Sequence, residues 1–142
     1  MAKKADNRDN VHIIELGKIR DKRGNLSVID ESKIPFKIER TYWIYDVPGG
    51  EHRGAHAYRS SLELITALSG SFDVAVHDGT HEEVFHLDRC SRGLYIPSGT
   101  WRQMRNFATN SIALVVTSTP YTPHDYIRDF QEYTLLKKEG RI

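Results

Sequence analysis

Two stretches with strand-like alternation, each closed or opened by a glycine turn, set the frame for this 142-residue chain. The first begins at Arg53. Gly54, His56 and Tyr58 alternate along it, four residues lead on to Glu63, and six more lead to Gly70. In a β-strand, residues two apart share a face, so His56 and Tyr58 are expected to project together into whatever space that strand lines. The second is Pro97-Ser98-Gly99-Thr100-Trp101-Arg102, with Asn106 four residues beyond the arginine. Its Pro-x-Gly reads as the turn between two strands.

The rest of the chain fits that frame. Val11 to Leu16 reads as a strand, Asp21 to Asn25 as a turn, and Leu26 to Ile29 as a short strand. Arg40 to Tyr45 is rich in β-branched and aromatic residues, with Arg40, Tyr42 and Ile44 on one face and Trp43 on the other. Leu62–Leu68, Phe72–His77, Glu82–Leu87, Gly93–Ile96, Trp101–Phe107 and Ser111–Ser118 follow, with the hairpin signal Asp78-Gly79 among them. After Pro120 and Pro123, Asp125 to Leu136 reads as a helix, with Tyr126, Ile127, Phe130, Tyr133 and Leu136 near helical spacing. Many short strands and one late helix predict an all-β sandwich or barrel of jelly-roll type. The division expected is a polar, flexible leader over 1–10, one domain over 11–136 and a loose charged tail over 137–142.

Composition narrows the partners. The formal net charge is +1, which gives no nucleic-acid footprint. No apolar run approaches the ~18 residues of a membrane span, and no signal-peptide layout is visible. The single cysteine, Cys90, excludes an internal disulfide, fits a reducing compartment and reads as a small core residue. A cytoplasmic enzyme or binding module is the expectation. Of the seven histidines, His12, His52, His77, His81, His86 and His124 lie in polar or turn-flanked surroundings and are expected to be exposed. His56 stands apart because of its motif.

Both stretches resemble the paired motifs of the cupin superfamily: H-x-H, then Glu, then Gly; and P-x-G-x-x-H, then Asn. The spacing agrees in both halves, while Tyr58 and Arg102 stand where two metal-binding histidines would be. A site of the His-plus-carboxylate kind needs about three protein ligands, and only His56 and Glu63 remain. Arg102 brings a permanent positive charge that repels a cation and attracts phosphate or carboxylate. No metal and no cofactor are expected, and the ligand is expected to be an organic anion. A metal-dependent cupin oxygenase is the alternative that Arg102 opposes.

From about Glu15 to Tyr133 the chain is similar to the sugar 3,4-ketoisomerases, the WxcM-like cupins acting on dTDP-4-keto-6-deoxyglucose. The residues that carry the likeness are Arg23-Gly24-Asn25-Leu26, Ile34 to Arg40, Tyr42-Trp43-Ile44, Arg53 to Ala57, Gly93 to Ile96, Trp101, and Asp125-Tyr126-Ile127-Arg128. The resemblance implies a cupin jelly-roll barrel with one C-terminal helix, a homodimer with exchanged N-terminal strands, and a dTDP-sugar in the barrel mouth. The implied reaction moves the ketone of a dTDP-4-keto-6-deoxyhexose from C4 to C3, without metal, in deoxyamino-sugar biosynthesis for surface polysaccharide. In the family the pattern is usually H-A-H, with its second histidine the favoured base. Tyr58 occupies that position here.

Such a reaction needs a base for the C3 proton, an acid for C4, and donors or cations for the charge that develops on the oxygens. His56 and Tyr58 are the candidate catalytic pair. Arg23, Arg40, Tyr42, Arg53, Glu63 and Arg102 are the candidate substrate-binding residues. Arginine suits a diphosphate because it binds bidentately, and Glu63 is expected to orient His56 or a sugar hydroxyl. Three readings stay open: His56 as base with Tyr58 as acid, Tyr58 as an arginine-assisted phenolate base, or a pocket that binds a nucleotide sugar without isomerising it.

Overall fold

The structure is a computed structural model and describes residues 7–142. The strands are β1 (His12–Glu15), β2 (Ile19–Asp21), β3 (Gly24–Leu26), β4 (Arg40–Ile44), β5 (Arg53–Tyr58) and β6 (Glu63–Ser69). They continue with β7 (Phe72–His77), β8 (Glu82–Leu87), β9 (Arg92–Ile96), β10 (Trp101–Arg105), β11 (Ile112–Thr117) and β12 (Tyr126–Ile127), and α1 (Phe130–Lys138) closes the chain.

Two five-stranded antiparallel sheets carry the architecture, in the orders β1-β9-β6-β11-β4 and β12-β5-β10-β7-β8. Alternation explains why they face each other. Ile65, Ala67, Leu94, Ile96, Ala113 and Val115 from the first sheet meet Phe72, Val74, Val76, Leu87 and Met104 from the second in one buried cluster. Residues between them in sequence point to the opposite face, as a period of two requires, and there Leu64, Tyr95 and Val116 are covered by Leu16, Ile34 and Phe36 in a second buried cluster. The class is all-β, of the cupin jelly-roll kind, with one C-terminal helix. Among the described residues, no helix is long and apolar enough to cross a membrane.

Several local expectations change. The turn at Asp21–Asn25 is shorter, and it joins β2 to β3 in a separate two-stranded ribbon, with Arg20 opposite Asn25. Most of the leader lies outside the described residues, although Asn7–Asp9 form a 3-10 turn. Cys90 is exposed rather than in the core, and His12 and His77 are half-buried.

The helix begins at Phe130, five residues later than its periodicity suggested. Tyr126 and Ile127 instead pair with Tyr58 and Ala57 as an edge strand. Asp129 caps the true start, its side chain accepting from the Gln131 amide at 2.9 Å. At the other end α1 runs on to Lys138, and Ile142 packs against the cluster of Tyr133 and Leu136.

Gly70 ends β6 for a steric reason. It has φ +66, and a Cβ there would lie 2.3 Å from Ser111 Oγ and 2.8 Å from Ser111 Cα. That hydroxyl is itself held, accepting from the Ser71 amide at 3.0 Å and donating to the Ala108 carbonyl at 2.7 Å. Gly70→Ala is therefore expected to destabilise the fold by about 2 kcal/mol or more. Denaturant unfolding checks this, and a midpoint unchanged from the parent protein would contradict it.

Candidate active site

One charged pair spans the two sheets. Arg102 of β10 and Glu63 of β6 are each 1% exposed at the side chain. Their contact is a fork: Arg102 Nε donates to Glu63 Oε1 at 2.7 Å and Nη2 to Oε2 at 3.1 Å. Nη1 donates to the Gly54 carbonyl at 2.8 Å, and Nη2 also reaches the Tyr42 hydroxyl at 3.0 Å.

Backbone irregularity makes room for the guanidinium. Arg102 faces His56 in the ladder while Met104 faces Arg53, so the register slips at a bulge containing Gly54. Gly54 has φ +68, and a Cβ there would sit 2.0 Å from Arg102 Nη1. Only glycine leaves that space.

Glu63, expected to orient His56 or a sugar hydroxyl, has both oxygens hydrogen-bonded to Arg102. Arg102 also stands at the motif position of a metal-binding histidine, and its guanidinium is a cation. Among the described residues, no three His, Cys, Asp or Glu side chains are grouped to hold a metal ion, and the residues present do not fit one.

Beside this pair opens a cleft of about 500 Å³, lined by Arg40, Tyr42, Arg53, His56, Tyr126 and Arg128 among others. His56 is 5% exposed, and its Nε2 has no hydrogen-bond partner. Its ring lies edge-on to Tyr58 at 4.7 Å and to Tyr126 at 4.9 Å. Burial, then the positive charges of Arg102, Arg128 and Arg40, pull its pKa down from 6.5 to about 2. His56 is thus a neutral imidazole at physiological pH. The Nε of Arg40 is a second buried polar atom without a partner.

Tyr58 is 4% exposed and lies beneath the cleft rather than lining it. Burial pushes its phenol well above 10, with Glu63 and Tyr42 adding to the rise and only Arg102 opposing them strongly. That direction favours the protonated phenol and works against a phenolate base at Tyr58. Its oxygen accepts from Arg40 Nη2 at 3.1 Å, and it donates to Tyr126 at 3.4 Å.

Of the candidate residues, the structure brings together His56, Tyr58, Arg40, Tyr42, Arg53, Glu63 and Arg102. Arg23 is not among them. It lies at the β2–β3 turn with its side chain 90% exposed, paired with Asp21 at 2.8 Å.

Two residues without a predicted site role, Tyr126 and Arg128, line the cleft. They arrive because Asp125 is buried against the end of β5, accepting from the Ser60 amide and hydroxyl, each at 2.7 Å, and from the Ser61 amide and hydroxyl. Burial opposes that charge, but these hydrogen bonds outweigh it and lower the pKa. Arg128 then lies over the Tyr126 ring, 4.2 Å from its centroid. The Asp-Tyr-Ile-Arg run was the available signal, and reading it as helix hid its place in the sheet.

Breaking the buried pair from one side leaves an uncompensated charge. Arg102→Met is expected to cost about 3–5 kcal/mol, and adding Glu63→Leu to recover most of it. Denaturant midpoints of the single and double variants check this. Equal losses in the two would contradict the pairing.

The chain matches known proteins over most of its length. Residues 9–138 match the family described as FdtA, WxcM-like, C-terminal. The chain is 38% identical over 135 residues to a TDP-4-oxo-6-deoxy-alpha-D-glucose-3,4-oxoisomerase from Aneurinibacillus thermoaerophilus, covering 90% of this chain and 97% of the relative. It superposes on the WlaRB TDP-quinovose 3,4-ketoisomerase from Campylobacter jejuni with a TM-score of 0.84 at 37% identity, covering 89% and 98% of the two chains. It also superposes on a variant of the 3,4-ketoisomerase QdtA from Thermoanaerobacterium thermosaccharolyticum, solved in complex with TDP-4-keto-6-deoxyglucose. There the TM-score is 0.89 at 33% identity, with 92% and 95% covered. The chain belongs to the FdtA, WxcM-like family.

Proposed function

We propose that this protein is a TDP-sugar 3,4-ketoisomerase that converts a TDP-4-keto-6-deoxyhexose into its 3-keto isomer. The observation that carries the reading is His56, buried and uncharged, with an unpartnered Nε2 in a cleft bordered by Arg40, Arg53 and Arg128. A diphosphate is the anion those arginines suit. His56 enters as a free base able to take the C3 proton. A base held so low is weak in the empty cleft. The ligand's negative charge offsets the arginines that depress it, which raises its proton affinity when substrate is bound. The electron pair released from C3 moves towards the C4 carbonyl, whose growing negative charge is met by the cationic, hydrogen-bonding wall. Transfer of the hydroxyl proton from O3 to O4, with return of the carbon-bound proton to C4, leaves the ketone at C3.

His56 also answers the alternative of a pocket that binds without isomerising. That reading rested on Tyr58 replacing a needed histidine, and a base at His56 does not depend on it.

The assembly is proposed to be a homodimer exchanging N-terminal segments. The β2–β3 ribbon pairs with neither five-stranded sheet and carries Ile19, Leu26 and, just beyond, Val28 at 64%, 53% and 40% exposure. Apolar surface of that kind is suited to a second copy of the chain, and the same exchange would carry Arg23 towards the partner's cleft. The proposed setting is cytoplasmic, in the supply of 3-keto sugars for amination on the way to surface polysaccharide.

The test is to incubate the protein with TDP-4-keto-6-deoxyglucose in deuterated buffer and follow the sugar by proton NMR. Conversion to a 3-keto product is expected, with His56→Asn slowing it by about 10²–10⁴-fold while TDP still binds. Binding without conversion in the parent protein would contradict the isomerase reading.

A further inference from the structure

We propose that Tyr126 carries the oxygen-to-oxygen proton of the isomerisation, fed by a one-directional chain of phenols that starts at Arg102. The proposal rests on the isomerase reading above and extends it to a residue with no role in that account.

The direction of the chain follows from which groups can only donate. A guanidinium has no acceptor. Arg102 Nη2 donates to the Tyr42 oxygen at 3.0 Å, Arg40 Nη2 to the Tyr58 oxygen at 3.1 Å, and Arg40 Nη1 to the Tyr126 oxygen at 3.2 Å. Tyr58 spends its one hydrogen on Tyr126 at 3.4 Å. The Tyr42–Tyr58 contact, also 3.4 Å, then takes its hydrogen from Tyr42. Tyr126 thus receives two hydrogen bonds at its oxygen, and no described residue accepts its own hydrogen. It is half-buried and lines the cleft beside His56, with ring centroids 4.9 Å apart. The unpartnered Nε2 of His56 and the free O–H of Tyr126 thus belong to two side chains that line the same cleft.

The isomerisation needs two such groups. The hydrogen on C3 must move to C4, and the hydrogen on O3 must move to O4. In the first half, His56 takes the C3 proton, the electron pair forms the C3–C4 double bond, and O4 takes the proton of Tyr126. The product is an enediol facing an imidazolium and a phenolate. In the second half, the phenolate takes the O3 proton, the C3 carbonyl forms, and the electron pair of the double bond takes the imidazolium proton at C4. Both side chains return to their starting state, and no oxidant or reductant is consumed. The phenolate that forms midway is met by donors already in place, Arg40 Nη1 and the Tyr58 hydroxyl, with Arg128 over its ring. Tyr58 becomes a positioning residue behind the acid rather than the acid itself.

Steady-state kinetics with TDP-4-keto-6-deoxyglucose test the assignment. Tyr126→Phe is expected to lower kcat by about 10²-fold or more, with KM and TDP affinity held within about threefold. Because any phenylalanine variant could act through packing, the second measurement replaces Tyr126 with 3,5-difluorotyrosine, which keeps the ring and lowers the phenol pKa. The basic limb of the kcat–pH profile is expected to move towards acid by at least one unit. A Tyr126→Phe variant within about threefold of the parent kcat, or an unmoved basic limb, overturns the role of Tyr126 and leaves the isomerase reading standing. No conversion by the parent protein overturns both.

Discussion

Arg102 and Glu63 are withdrawn from water together, and most of what is distinctive here follows from that pairing. Removing two charges from water carries a large desolvation cost, returned only when geometry is good and the remaining donors are satisfied. Here the fork is complete, with the leftover donors on the Gly54 carbonyl and the Tyr42 hydroxyl. The pair joins one sheet to the other beside the cleft. It also imposes glycine at position 54 and a bulge in β5. At the motif position of a cupin metal-binding histidine, this chain carries an internal guanidinium.

The electrostatic consequence reaches the imidazole opposite. Overall charge is nearly balanced, at +1, yet Arg40, Arg53, Arg102 and Arg128 gather at one cleft. Low-dielectric walls and like charges focus a positive field there. Burial first, and this field after it, keep the histidine unprotonated, and the field gives an anionic ligand a reason to enter. Under the proposed mechanism these are coupled, since the anion that binds is the one that relaxes the field on the base.

The sequence made the strands and the inward faces legible. Alternation put His56, Tyr58, Arg40, Tyr42 and Arg102 on core-facing or cleft-facing positions, and these are where the structure has them. What alternation could not give was partners. It assigns a face, not a distance, so it did not show that Glu63, expected on His56 or a sugar hydroxyl, would bond Arg102 with both oxygens. Tyr126 and Ile127 fit a helical period when read with Phe130 and Tyr133, because two residues cannot distinguish a period of two from one of 3.6. Tertiary pairing with β5, and the anchoring of Asp125 by Ser60 and Ser61, decided the matter. Arg23 was placed by resemblance alone, and within one chain it stands on an exposed ribbon.

The central claim, that burial and the surrounding guanidiniums together hold His56 as an uncharged base, is open to direct measurement. With the protein labelled with ¹⁵N at histidine, the ring nitrogens of His56, assigned by their loss in His56→Asn, can be followed from pH 8 to pH 4.5. Its pKa lies near 2 in the free protein, far below that range, so the neutral-imidazole pattern is predicted to persist throughout. A titration of His56 with a midpoint near its ordinary 6.5 would contradict the account.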